Sequence, residues 1–166
     1  MDTAYRVRSL GVALFACLAL AVVLAGGQPA QAASIVYVVP GGASTQTGVS
    51  WGTAKDLAAA LVGATPGDEL WVKAGTYKPT AGADRNATFA LKSGVAVYGG
   101  FAGTETTRGQ RNWQANVTLL SGDIGVPNNA GDNSYHVVTG SGANGAAILD
   151  GFTIRDGSAN GLSIAC

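Results

Sequence analysis

Apolar and polar positions along this chain fall into short blocks, most of them too short for helices. Ile35-Val36-Tyr37-Val38-Val39 is apolar on both alternate sets of positions, the pattern of a strand buried on both faces, and Pro40-Gly41-Gly42 ends it. Only one stretch has helical spacing. Ala54, Leu57, Ala58, Leu61 and Val62 recur as i, i+3, i+4, i+7, i+8, with Thr53 and Asp56 as a capping-box pair and Gly63 as the stop. Beyond Pro66-Gly67 the pattern reads strand, turn, strand. Glu69–Lys73 ends at Gly75, Thr88–Leu91 turns at Ser93-Gly94 into Val95–Tyr98, and Gly99-Gly100 follows. Val117–Leu120, Tyr135–Val138, Ala147–Leu149, Phe152–Ile154 and Leu162–Ile164 complete the series, each bounded by glycine.

Val72, Val97, Leu119 and Val138 occupy similar strand-then-glycine settings, 25, 22 and 19 residues apart. A loose repeat of that length, made of short strands and tight turns, predicts an all-β chain wound as a β-solenoid. Stacked coils about 4.8 Å apart would pair every strand with those above and below. The amphipathic helix would then lie across the N-terminal opening, where strand edges would otherwise be bare. A sandwich or jelly roll is the competing all-β arrangement, but its strands alternate apolar and polar, whereas several here are apolar on both sides.

The first residues change the picture of where the chain works. Arg6 and Arg8, the apolar run Leu10–Leu24 and the small-residue site Ala30-Gln31-Ala32 follow the order of a secretory signal peptide, with cleavage after Ala32. The apolar core is short for a membrane span, which needs about 20 residues. Cys17 is a poor lipidation site, because Phe15 is bulky and the apolar run continues past it. Residues 1–32 are therefore read as a leader and 33–166 as one domain, long enough for a single core. The formal charge is zero, and becomes −1 once Asp2, Arg6 and Arg8 leave, which gives nucleic-acid binding no support. With Cys17 in the leader, Cys166 has no partner for an internal disulfide. The 25 glycines sit among Val, Ile and Leu, which indicates tight turns between strands and not disorder.

Several motifs together resemble a known family. Ile35–Pro40, Trp51 with Ala54 and Leu57, Pro66–Val72 and Gly75–Thr80 resemble the N-terminal cap and first coil of pectin-lyase-like β-helix proteins. Arg85, Phe89, Leu91, Val97–Glu105, Arg108, Asn116–Asp123 and Asp150–Ile154 resemble large bacterial surface proteins of the polymorphic-outer-membrane-protein or choice-of-anchor type. The resemblance covers Ser34–Ile164 and implies a right-handed parallel β-helix with one N-terminal capping helix. It implies little about activity, because lyases, glycoside hydrolases and adhesins share that fold. Such proteins run for many more coils, so a chain stopping at Cys166 is expected to be C-terminally truncated.

No set of residues makes a catalytic constellation. Gly140-Ser141-Gly142-Ala143-Asn144-Gly145 has dinucleotide-loop spacing, but no helix pattern follows it, so it reads as a turn. His136, the single histidine, reads as a strand residue and cannot assemble a zinc shell alone. Asp123, Asp150 and Asp156 are the carboxylates that stacked coils could align for glycosidic cleavage, yet each adjoins glycine in a turn-like setting and none forms an Asp-Asp pair. Asn128–Asn133 offers oxygen ligands with one carboxylate and reads as a plain loop, not a calcium site. Trp51, Trp71 and Trp113 are candidates for stacking on sugar rings, Trp71 being better suited to packing. The sequons at Asn86 and Asn116 mean little if the host is bacterial. The expectation is an exported or cell-surface module, structural, adhesive or glycan-binding, with polysaccharide or cell-surface partners, no catalytic residue, no cofactor and no metal. The alternative is the N-terminal part of a polysaccharide lyase or glycoside hydrolase whose active coils lie beyond Cys166.

Overall fold

The structure, a computed structural model, describes residues 33–160. The expected leader with Ala30 and Ala32, Cys17, the expected strand Leu162–Ile164 and Cys166 lie outside the described residues. Within them the chain is built from short strands in parallel sheets, with little helix. In chain order the elements are β1 (Ile35–Val38), α1 (Leu57–Gly63), β2 (Glu69–Lys73), β3 (Gly75–Tyr77), β4 (Phe89–Ala90), β5 (Ala96–Phe101), β6 (Thr118–Ser121), β7 (Val138–Thr139), β8 (Ile148–Asp150) and β9 (Phe152–Arg155). Two 3-10 turns, Trp51–Thr53 and Arg108–Gln110, lie in the connections.

The strands form three sheets: β1-β2-β5-β8, β3-β6-β9 and β4-β7. Every pairing between these strands is parallel, which excludes the antiparallel sandwich. From β2 onward the chain visits the sheets in rotation, first to second to third and then back to the first. Parallel register aligns apolar residues in rows. Val36, Leu70, Val97 and Leu149 stand side by side in the first sheet, Tyr77 and Leu120 in the second, Phe89 and Val138 in the third. These rows pack with Val38, Val72, Val95 and Val137 into one core. Burying each Val or Leu side chain is worth roughly 1.5–3 kcal/mol. Tyr77 closes one side of this core, its hydroxyl donating to the Lys73 carbonyl at 2.8 Å, and burial pushes its phenol pKa well up.

The spacing of this repeat differs from the expected one. Val72, Val97, Leu119 and Val138 are not equivalent positions. Val97 pairs with Leu70, Leu119 belongs to the second sheet and Val138 to the third. The intervals between residues aligned in the first sheet are uneven, and each exceeds 25 residues. Loops of variable length between sheets blur the period, because only the strands are held in register.

The first sheet is apolar on both sides, as β1 predicts, but its two faces meet different partners. On the face away from the core, Tyr37, Trp71 and Phe101 pack with Trp51. Trp71 stacks on Phe101 with ring centres 4.9 Å apart, and Trp51 meets Tyr37 edge-on at 4.7 Å. The Trp51 indole donates to the Glu105 carbonyl at 3.0 Å, which ties this aromatic layer to the loop after β5.

Several local expectations need correction. The helix begins at Leu57 and Asp56 is its cap, accepting from the Ala59 N–H at 3.1 Å. Thr53 belongs to the preceding 3-10 turn, Ala54 lies outside the helix, and Val62 points to solvent. The buried face is Leu57, Ala60 and Leu61, which meets β1, β2 and β4. Gly99-Gly100 does not end its strand, because β5 runs through to Phe101. A side chain at Gly99 would collide with the Gly151 carbonyl and with Thr118, so glycine here permits close approach of two backbones. β3 escaped notice because Gly75 reads as a stop, and the strand starts on it. Among the described residues, no helix is long and apolar enough to cross a membrane.

Candidate functional site

Parallel strands of one sheet all end on the same side, so the residues that follow them gather there. In the second sheet Ser121 of β6 pairs with Arg155 of β9, and Thr76 of β3 pairs with Leu119. Lys78 follows β3, Asp123 follows β6 and Asp156 follows β9, and together they line one cleft of about 360 Å³ with Asn128 and Asn133. Asp123 and Asp156 are thereby brought into a single site. Asp150 is not; it lies on β8, paired with Arg111 at 2.6 Å.

The cleft alternates charge. Lys78 lies 3.5 Å from Asp123, and Arg155 lies 3.2 Å from Asp156. The Ser121 hydroxyl donates to Asp156 Oδ2 at 2.8 Å and accepts from the Asp123 backbone N–H at 3.2 Å, which ties the Asp156 carboxylate to the main chain at Asp123. Asp123 Oδ1 accepts the Asn128 N–H at 2.8 Å. Both non-glycine residues with positive φ among the described residues, Asn128 at 63° and Asp156 at 64°, line this cleft. Asn and Asp tolerate that conformation better than other side chains, and such backbone persists only where surroundings hold it.

Behind the cleft lies a buried polar atom without a partner among the described residues. Asn133 is only 7% exposed, and no donor among the described residues reaches its Oδ1. A buried acceptor left without a donor costs about 1–3 kcal/mol, and this oxygen is closed off from solvent. Acceptors on Asp123 and Asp156 beside donors on Lys78 and Arg155 suit a ligand that both donates and accepts at closely spaced points. That is the chemistry of a polyhydroxylated ring.

The other sequence candidates are placed elsewhere. His136 lies outside any strand, contrary to expectation, and stands exposed at the rim of a cleft formed by Arg85, Asn86, Thr88 and Tyr135. Arg85 there works as a pin. It lies 4.1 Å above the Tyr135 ring and donates to the Asn133 carbonyl at 2.7 Å and to Asn160 Oδ1 at 2.7 Å. Gly140–Gly145 is the turn between β7 and β8. Asn128–Asn133 is a loop, and among the described residues no group of three or more His, Cys, Asp or Glu is placed to hold a metal ion. Trp71 is 2% exposed within the aromatic layer, whereas Trp113 is 55% exposed. Lys78 and Ser121 line the site without having been candidates in the sequence, whereas Asn133 belongs to the Asn128–Asn133 segment read there as a plain loop. Their signal was positional, since Lys78 and Ser121 sit at strand ends that one sheet aligns. Comparison of the chain with protein-family models, curated proteins and solved structures found no match.

Proposed function

We propose that this chain is an exported right-handed parallel β-helix module that binds glycans through the cleft between Asp123 and Asp156. The observation that supports the architecture most is the rotation of the chain through three parallel sheets, each with its own inward apolar row. A right-handed sense follows from the strong bias of parallel crossover connections. Against one another, the strands pair as rungs, and α1 packs at the β1 side, where it shields the first rung. Export rests on the leader pattern ending at Ala30-Gln31-Ala32.

Glycan binding rests on the cleft itself, with two carboxylates and two cations around one cavity. A second reading, cleavage of a polysaccharide, is favoured by one observation, that Asp123 and Asp156 share this cleft. One experiment separates the two. The full chain is expressed with its leader, the exported product is checked for an N-terminus at Ala33, and it is applied to a polysaccharide array. Binding without release of reducing ends or unsaturated products, lost in Asp123→Asn and Asp156→Asn, supports the module. Product release lost in the same variants supports the enzyme, and binding unaffected by either variant overturns the cleft.

A further inference from the structure

A second feature of the surface is independent of that cleft. The loop after the Arg108–Gln110 turn holds Trp113 in a fixed position although its ring is exposed. The Asn112 N–H donates to the Gly100 carbonyl at 2.8 Å, and the Asn116 amide donates to the same oxygen at 3.2 Å. Asn112 Oδ1 accepts from the Gln114 and Ala115 N–H groups at 3.2 and 3.0 Å, closing the turn around Trp113. The Trp113 backbone lies against Gly100, which has φ of +92°, so closely that any Cβ there would clash with it. Backbone hydrogen bonds and close packing therefore commit this loop to one conformation while it presents an indole to solvent.

Beside the indole is a cleft of about 250 Å³ lined by Trp113, Thr118, Asp150, Gly151, Phe152 and Thr153. This is below the roughly 300–1,000 Å³ of ordinary small-molecule sites, and so has room for one ring and not a whole oligomer. Asp150 Oδ2 is held by Arg111 at 2.6 Å, which fixes the carboxylate and offsets its charge. Arg111 is itself fixed, donating to the Gly99 carbonyl at 3.1 Å and lying 5.0 Å from the centre of the Tyr98 ring. Among the described residues no donor reaches Asp150 Oδ1, and Thr153 is exposed alongside.

We infer that Trp113, Asp150 and Thr153 form a separate subsite for one neutral pyranose unit of a glycan. The apolar face of the ring lies on the indole, and its hydroxyls donate to Asp150 and Thr153. A rigid aromatic surface with a polar group at its edge is suited to a ligand that is apolar on one face and hydroxylated at its rim. The charge-compensated Asp150–Arg111 pair favours a neutral sugar over an acidic one. This inference rests on the glycan-binding reading but uses none of the residues of the Asp123–Asp156 cleft.

The test exploits the packing of the other two indoles in the aromatic layer, Trp71 buried and Trp51 partly buried, against the exposed Trp113. The exported chain is titrated with cellohexaose, mannohexaose and chitohexaose while tryptophan emission and acrylamide quenching are followed. At least one sugar should shift the emission and protect the quenchable tryptophan. Trp113→Ala should weaken that sugar about tenfold or more with its melting temperature unchanged, Trp113→Phe should retain part of the affinity, and Asp150→Asn should weaken it several-fold. Asp123→Asn and Asp156→Asn should leave Trp113 protection intact. Sugar binding that survives Trp113→Ala unchanged would overturn this subsite and leave the glycan-binding reading standing. Absence of binding to any sugar, here and on the array, would remove both.

Discussion

Asp68 and Glu105 show how single residues hold this chain's irregular segments. Asp68 accepts the Ser34 N–H and hydroxyl on one oxygen and the Thr65 N–H and hydroxyl on the other, tying the start of β1 to the turn before β2. Glu105 accepts the Ala102, Gly103 and Thr104 N–H groups, which would otherwise lack partners in the loop after β5. In each case burial raises the carboxyl pKa, but the hydrogen bonds together outweigh it and hold the group below its ordinary value of 3.8 for Asp68 and 4.5 for Glu105. A pKa lowered on folding means that the unfolded chain binds more protons as pH falls. The stabilisation is therefore complete above the unfolded values and is lost as pH drops through the folded ones. Melting temperature measured from pH 7 to pH 3 should fall steeply below about pH 4.5. In the Asp68→Asn, Glu105→Gln double variant the chain should melt lower at neutral pH, with a flatter acid slope. An unchanged slope would show that these groups do not govern acid stability.

Among the elements, α1 is the one whose start separates sequence pattern from structure. Thr53 and Asp56 together match a capping box, but only Asp56 caps, because Trp51–Thr53 is already a separate 3-10 turn anchored through Trp51 to Glu105. Asp56→Ala should cost about 0.5–2 kcal/mol by loss of the Ala59 N–H partner, and Thr53→Ala less than about 0.5 kcal/mol. Denaturant unfolding of the two variants measures the difference. Position on the helix sets a second contrast. Leu61→Ala should cost about 2–5 kcal/mol, while Val62→Ala should be nearly silent, since Leu61 is in the core and Val62 is 77% exposed. If both substitutions cost alike, the buried face of α1 is misassigned.

At the scale of the whole molecule, the rows that make the core also leave an open side. β7, β8 and β9 each have one neighbour among the described residues, and Ile148 and Ile154 are 43% and 49% exposed on the last two. Bare parallel edges with apolar side chains template association. A piece of the chain limited to residues 33–160 should therefore self-associate at micromolar concentration, and Ile148→Lys with Ile154→Lys should shift it toward monomer in light scattering. An unsubstituted 33–160 piece that stays monomeric at high concentration would refute this. From residue pattern alone came the all-β class, one helix near the N-terminus and most strand positions, because apolar runs bounded by glycine are a local property of backbone and burial. Invisible in that pattern were the strand opening on Gly75, the passage of β5 through Gly99-Gly100 and the true register, Leu70 and not Val72 beside Val97. Those depend on which backbone approaches which, and glycine reads the same whether it ends a strand or lets another one come close. The candidate carboxylates were legible as residue types, but their grouping was not. Parallel pairing of β3, β6 and β9 brought Asp123 and Asp156 to one cleft and left Asp150 on another, because alignment across a sheet is set by strand register and not by distance along the chain.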